Sequence, residues 1–181
     1  MKARERIETA RLVLRKPSLA DAEAIFSCYA SDPRVTRFMS WPRHRSVIDT
    51  RAFLTFSDAE WEKWPAGPYL IEAGEKLLGS TGLGFETPVL AETGYVLAVD
   101  AWGFGYATEA LKAIVTLARE LGVGLHAYCH PENVRSARVL QKCGFTEDRL
   151  PRRAMHFPNL YSGQTLDCPH YTSCPGIVSS M

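Results

Sequence analysis

The stretch DAWGFGYATEAL, Asp100 to Leu111, sets two glycines two residues apart at the mouth of an alanine-rich amphipathic run. It follows directly on the β-like TGYVLAV. A strand, a glycine loop and a helix N-terminus together make an anion site. The first helical turn carries unsatisfied N–H groups and the positive end of the helix dipole. Gly103 and Gly105 let the backbone bend there with no Cβ between those amides and a phosphate. The stretch does not fit a Gly-Lys-Ser/Thr phosphate loop, since Tyr106 and Ala107 follow Gly105. It does not fit a dinucleotide fingerprint either, because position 108 is Thr where a third glycine is needed. The alternative to a phosphate is a tight turn that holds no ligand.

Two further groups have ligand-type side chains. Cys168, His170 and Cys174 gather in DCPHYTSCPG, but no partner pair stands at zinc-finger spacing. His126 and His130 lie in GLHAYCHPEN, read as a strand and its exit. There they share a face yet stand roughly 13 Å apart, too far to share a metal. No metal is expected, and both groups read as ordinary strand and tail residues. Five cysteines at irregular spacings do not form a disulfide framework, which makes a reducing cytoplasm the simplest compartment.

The elements that must position the glycine loop follow from periodicity. In ARLVLRK, Leu12 and Leu14 alternate with Arg11, Val13 and Arg15, which predicts a strand. Ser18 with Asp21 three residues later predicts a capping box opening a helix through SLADAEAIFSCYA. SDPRVTRFMSWPRHRS, with two prolines and several aromatics, reads as a loop or broken helix suited to substrate contacts. A second helix is predicted from Ser46 to Lys63. Strands PYLIEA, KLLGSTGLGF and AETGYVLAV follow, then a helix from Gly105 to Leu121 stopped by Gly122. GLHAYCH is a short strand, and Asn133 caps a helix from Val134 to Lys142. The last thirty-odd residues carry four prolines and read as a tail. The order is β-α-α-β-β-β-α-β-α and tail, a mixed α/β sheet in one domain, 1–181.

Composition bounds the function. At 181 residues and 46% apolar content the chain can bury a substantial core. A net charge of +1 argues against nucleic-acid and membrane-surface roles while leaving room for a local basic pocket. The N-terminal MKARERIETARLVLRK is too charged for a secretory signal, and no apolar run approaches membrane-spanning length.

With the elements in order, WGFGYATEAL resembles the pyrophosphate-binding motif of the GCN5-related N-acetyltransferases (GNAT). More narrowly, it is similar to the branch that acetylates ribosomal-protein N-termini. TARLVLRKPSLADAEAIF, LLGSTGL, AETGYVL and NVRSARVLQKCGF resemble further pieces of that branch in the same order, over roughly residues 8 to 172. The resemblance implies the acyl-CoA N-acyltransferase fold: a single-domain, mostly antiparallel sheet with splayed central parallel strands and flanking helices. It implies acetyl-CoA as cosubstrate and no metal. Backbone amides of Gly103, Phe104, Gly105, Tyr106, Ala107 and Thr108 would hold the pyrophosphate. The pantetheine arm would run along the open edge of AETGYVLAV, around Tyr95, Leu97 and Val99. Asn133 lies where the family's asparagine meets the cofactor. Arg135, Arg138 and Lys142 form a basic row that faces either the adenosine phosphates or solvent. Three positions depart from the family pattern: Asp100 stands where Gln or Arg is usual, Phe104 where Lys is common, and Leu140 where many members carry a tyrosine general acid.

An amine attacks a thioester only when neutral, so a base is needed at pH 7. Glu92, beside the expected splay, is the candidate, with Glu72 in reserve; Glu109, inside a helix, suits a structural role. A backbone N–H near Leu97 would polarise the thioester carbonyl. Ser136 is the remaining candidate proton donor to the leaving thiolate. Cys129 and Cys143 have no base beside them in sequence, which favours direct transfer over an acyl-enzyme. The expected function is acetyl transfer to a primary amine, either a protein N-terminus or a small molecule, by a monomer or homodimer. The alternative is a non-catalytic acyl-CoA-binding sensor.

Overall fold

A computed structural model describes residues 2–160 and 165–173. Eight strands among these residues form one sheet: β1 (Arg6–Glu8), β2 (Val13–Arg15), β3 (Pro68–Ala73), β4 (Lys76–Thr87), β5 (Leu90–Leu97), β6 (Gly124–Tyr128), β7 (Phe145–His156) and β8 (Thr165–Ser173). Their spatial order is β1-β2-β3-β4-β5-β6-β8-β7. Every neighbouring pair is antiparallel except β5 and β6. That parallel pair is connected through helix α4 (below), as a parallel crossover requires.

Alternation divides the side chains between two layers. On β3, Ile71 faces a cluster with Leu111, Ile114 and Leu125, whereas neighbouring Leu70 faces a second cluster with Ile25, Tyr29 and Leu54. On β5, Ala91 and Leu97 belong to the first cluster and Val96 to the second. The first layer holds α4 (Tyr106–Leu121), which buries Ala110, Leu111, Ile114, Val115, Leu117 and Ala118. Each large side chain in that row contributes about 1.5–3 kcal/mol by burial. The second layer holds α1 (Ala22–Ile25, continued by a wide turn through Phe26–Ala30), α2 (Pro33–Thr36) and part of α3 (Val47–Lys63). Helix α5 (Val134–Lys142) packs on α4 and β7.

The helix starts are as expected. Ser18 and Asp21 form a reciprocal capping box, as do Ser46 and Asp49. Asn133 caps α5, its side-chain oxygen accepting from the Ser136 amide at 3.2 Å. Gly122, at φ +69°, ends α4.

Three strands differ from expectation. The short β1 precedes the predicted first strand. The residues read as tail are two strands, β7 and β8, and β8 lies between β6 and β7. Pro169 sits inside β8 and masks its pattern. Cys174 lies outside the described residues.

The parallel pair supplies the feature that matters most. β5 and β6 are in register only over Leu90–Glu92 against Gly124–His126. Beyond Glu92, β5 stays paired with β4 as far as Leu97, while β6 stays paired with β8 on its other edge as far as Tyr128. The far edge of β5 from Thr93 onward is left open, which is the predicted splay.

Candidate active site

Two cavities meet at that notch. The larger, about 1100 Å³, runs from the open edge of β5 past the glycine loop to α5. Leu97, Gly103, Gly105, Tyr106, Ala107 and Thr108 line it, opposite Asn133, Arg135, Ser136, Arg138 and Lys142. The smaller, about 550 Å³, opens over the other face of β4 and β5 and includes Glu92. Tyr95, Val96, Asn133 and Ser136 line both.

Gly103 and Gly105 have φ of +85° and +80°, and Gly105 immediately precedes the first turn of α4. A Cβ on Gly103 would meet nothing within 4 Å, and one on Gly105 would meet only Arg11 Nη2 at 3.6 Å. The glycines therefore answer a left-handed backbone rather than crowding by the protein. Arg11 braces the loop from the other end of the chain: Nη1 donates to the Phe104 carbonyl at 2.9 Å, and the guanidinium lies over the Tyr106 ring. Glu109 holds Arg11 in turn, with Nε at 2.7 Å, and accepts from the Thr9 hydroxyl at 2.6 Å. Burial would raise the Glu109 carboxyl, but these hydrogen bonds outweigh it and hold it below the ordinary range. Glu109 thus has the structural role expected of it. Asp100 turns away from the loop to Lys76, 2.5 Å distant.

Two expected cofactor residues do not reach the cavity with their side chains. Val99 lies in a helical turn past β5 and packs on the second-layer cluster. Phe104 is exposed and stacks on Tyr106. Trp102, whose residue type carries no phosphate-loop signal in the sequence, does line the cavity, and its indole N–H donates to the Leu97 carbonyl at 2.8 Å.

Glu92 stands at the last register pair before the splay, half-buried, with Arg153 Nη1 at 3.7 Å. Arg153 is also 3.7 Å from Glu86, whose other oxygen is 3.3 Å from His126 Nε2. Burial raises the Glu92 carboxyl above its usual range; His126 and Arg153 pull it back, and Glu86 pushes it further up. Glu72, the reserve candidate, lies elsewhere: it pairs with Arg15 at 2.8 Å, beside Asp21, and lines neither cavity. Ser136 is hydrogen-bonded to the Tyr95 hydroxyl, and burial pushes that phenol up to about 12. Leu140 is fully enclosed in the first-layer core. Burial also raises the Cys129 thiol, and the Cys143 thiol to about 11, which disfavours either thiolate as a nucleophile. Cys168 is buried on β8, and the His170 ring lies 5.3 Å from that of His126. No cluster of three or more metal-type ligands occurs among the described residues.

The smaller cavity has a fixed roof. Asn159 Nδ2 donates to the carbonyls of Thr36 and Trp41 at 2.8 and 3.0 Å, and its Oδ1 accepts from the Arg43 amide at 2.8 Å. Phe38 and Phe157 both pack against the His130 ring, Phe38 tilted at 4.6 Å and Phe157 edge-on at 4.7 Å between centroids.

A sheet opened between two central parallel strands, with a glycine loop at the helix that follows, defines the acyl-CoA N-acyltransferase class of folds. Solved structures agree. The chain superposes on RimL, a ribosomal L7/L12 α-N-protein acetyltransferase in complex with coenzyme A, with a TM-score of 0.81 at 22% identity, covering 93% of this chain and 97% of that one. It superposes on a GNAT-family acetyltransferase from Bacillus anthracis with a TM-score of 0.77 at 24% identity, over 92% and 96%. In sequence it is 29% identical over 156 residues to the uncharacterized N-acetyltransferase YoaA of Bacillus subtilis (strain 168), covering 83% of this chain and 88% of that protein. The acetyltransferase (GNAT) domain model matches residues 11–146, and the chain belongs to that family of acetyl-CoA-dependent N-acetyltransferases.

Proposed function

We propose that the protein transfers an acetyl group from acetyl-CoA directly to a primary amine, with Glu92 as general base. The observation that carries this reading is the meeting of two cavities of different character at the β5–β6 splay, with Glu92 beside the junction. The larger cavity suits the cosubstrate. It has a cradle of left-handed glycines at a helix N-terminus, and five basic side chains (Arg34, Arg37, Arg135, Arg138, Lys142) against one carboxylate, Glu132. The open edge of β5 offers backbone groups to the amide-bearing pantetheine arm.

In this reading the acceptor enters the smaller cavity as an ammonium ion and gives a proton to Glu92, whose raised pKa brings it nearer the working pH. The neutral nitrogen attacks the thioester carbon, the carbon–sulfur bond breaks, and the proton the nitrogen must still lose passes through the Ser136 hydroxyl to the departing thiolate, Ser136 giving up its own proton as it takes the new one. The products are the N-acetyl amine and free coenzyme A.

The test is coenzyme A thiol release from acetyl-CoA in the presence of amines, with parent and Glu92→Gln. Turnover at pH 7 should fall about 10²–10⁴-fold in the variant, and the deficit should shrink as pH approaches the amine's own pKa. Equal activity across pH removes Glu92 from the role. Acetyl-CoA binding without thiol release for any amine favours a sensor.

A further inference from the structure

The smaller cavity differs from its neighbour in charge and in surface. Its charged lining groups are Glu60, Glu86 and Glu92, and no lysine or arginine lines it among the described residues. Arg153 at its edge, 3.7 Å from both Glu86 and Glu92, offsets one of these charges. His130 brings no compensating cation, because burial lowers its pKa and its Nδ1 accepts the Glu132 amide at 3.1 Å. A cationic ligand is therefore favoured and a carboxylate disfavoured.

The walls are aromatic and the floor is bare. Phe38, Trp41, Phe53, Tyr128 and Phe157 stand around Gly82, Gly84 and Gly94. A Cβ on Gly94 would meet nothing within 4 Å, so the space above it is open. On the floor the two threonine hydroxyls are already committed. Thr81 and Thr93 hydroxyls donate across the strand pair to the Gly94 and Gly82 carbonyls, both at 2.8 Å, and the Asn159 amide is spent on the roof. Among the described residues the floor therefore offers no free side-chain donor to read a peptide backbone or a polyhydroxylated body.

Resting on the acetyl-transfer reading, we infer that the acceptor is a small primary amine with an aromatic or bulky apolar body and no carboxylate beside the nitrogen. Its ring lies over the glycine floor between the aromatic walls, and its ammonium group faces Glu86 and Glu92. The cavity volume, about 550 Å³, falls in the range of small-molecule sites.

The test measures kcat/KM by thiol release for 2-phenylethylamine, ethylamine, phenylalanine and a serine-initiated peptide, with the parent and Gly94→Val. The parent should prefer 2-phenylethylamine to ethylamine by about tenfold or more, the worth of burying a ring. It should prefer it to phenylalanine by roughly a hundredfold, since the added carboxylate faces like charge. Gly94→Val branches from a Cβ position that meets no neighbour within 4 Å, takes up the open space above the floor, and should lower the 2-phenylethylamine-to-ethylamine ratio roughly tenfold. A preference for phenylalanine, ethylamine or the peptide, or an unchanged ratio in the variant, overturns the inference and leaves acetyl transfer standing. No thiol release with any of the four, nor with other amines, overturns both.

Discussion

At the residue scale, the proposed chemistry rests on groups whose surroundings alter their acid–base character. Glu92 is moved toward neutrality by burial, and the Tyr95 phenol is moved away from it. A phenol at about 12 keeps its proton at neutral pH, so Tyr95 offers Ser136 a neutral hydroxyl as hydrogen-bond partner. Ser136→Ala should then lower kcat about tenfold, a modest effect for acid catalysis because a thiolate is a good leaving group. The melting shift produced by acetyl-CoA should persist in that variant. An unchanged kcat would mean that the thiolate departs unaided.

At the element scale, the glycine loop and the roof loop are each held by a residue remote in sequence. Arg11 braces the loop that opens α4, bonding to the Phe104 carbonyl. Arg11→Ala should weaken acetyl-CoA binding about tenfold, measured by calorimetry, because the loop must then be ordered on binding. Gly105→Ala forces a Cβ into a left-handed conformation, at a cost of about 1–2 kcal/mol. It should lower the melting temperature of the free protein, which a purely ligand-crowding role for Gly105 would leave unchanged. The roof depends on Asn159 and its three hydrogen bonds to the 36–43 segment. Asn159→Ala should raise KM for the amine and leave acetyl-CoA affinity alone; steady-state kinetics with each substrate varied in turn will separate the two.

At the scale of the whole molecule, binding to the folded state alone adds stability. Acetyl-CoA at a hundredfold excess over its Kd should contribute about 2.7 kcal/mol and raise the melting temperature, while NAD should not. Stability also depends on pH through the ion-paired network that ties β2 to α1 and β3. Burial would raise the Asp21 carboxyl, but hydrogen bonds from Arg15 and from Ser18 hold it below the ordinary range. A depressed carboxyl stabilises the fold above its unfolded pKa of about 4, and that contribution disappears as pH falls through the folded value. Asp21→Asn should therefore melt below the parent at pH 7, and the gap should close in acid. A gap constant with pH would assign the loss to packing instead of charge.

What the sequence determined by itself is local. The capping box at Ser18, the helix start at Ser46, the Asn133 cap, the Gly122 stop and the strand–glycine–helix order each depend on residue types within a few positions of one another. The backbone and its nearest side chains settle such features, and they are legible in one dimension. Only the tertiary structure decided which distant residues meet. It brought Arg11 to Phe104, Glu109 to Arg11, Asn159 to Trp41 and Arg153 to Glu92. It removed Glu72 to an ion pair with Arg15 and turned Val99 away from the cavity. It also made the supposed tail a strand pair, with β8 against β6, Phe157 lining the smaller cavity and Asn159 bonded to the segment that roofs it. These meetings depend on strand register and on which face each layer buries. A one-residue change of register exchanges the faces, so the periodicity of a single segment cannot specify them.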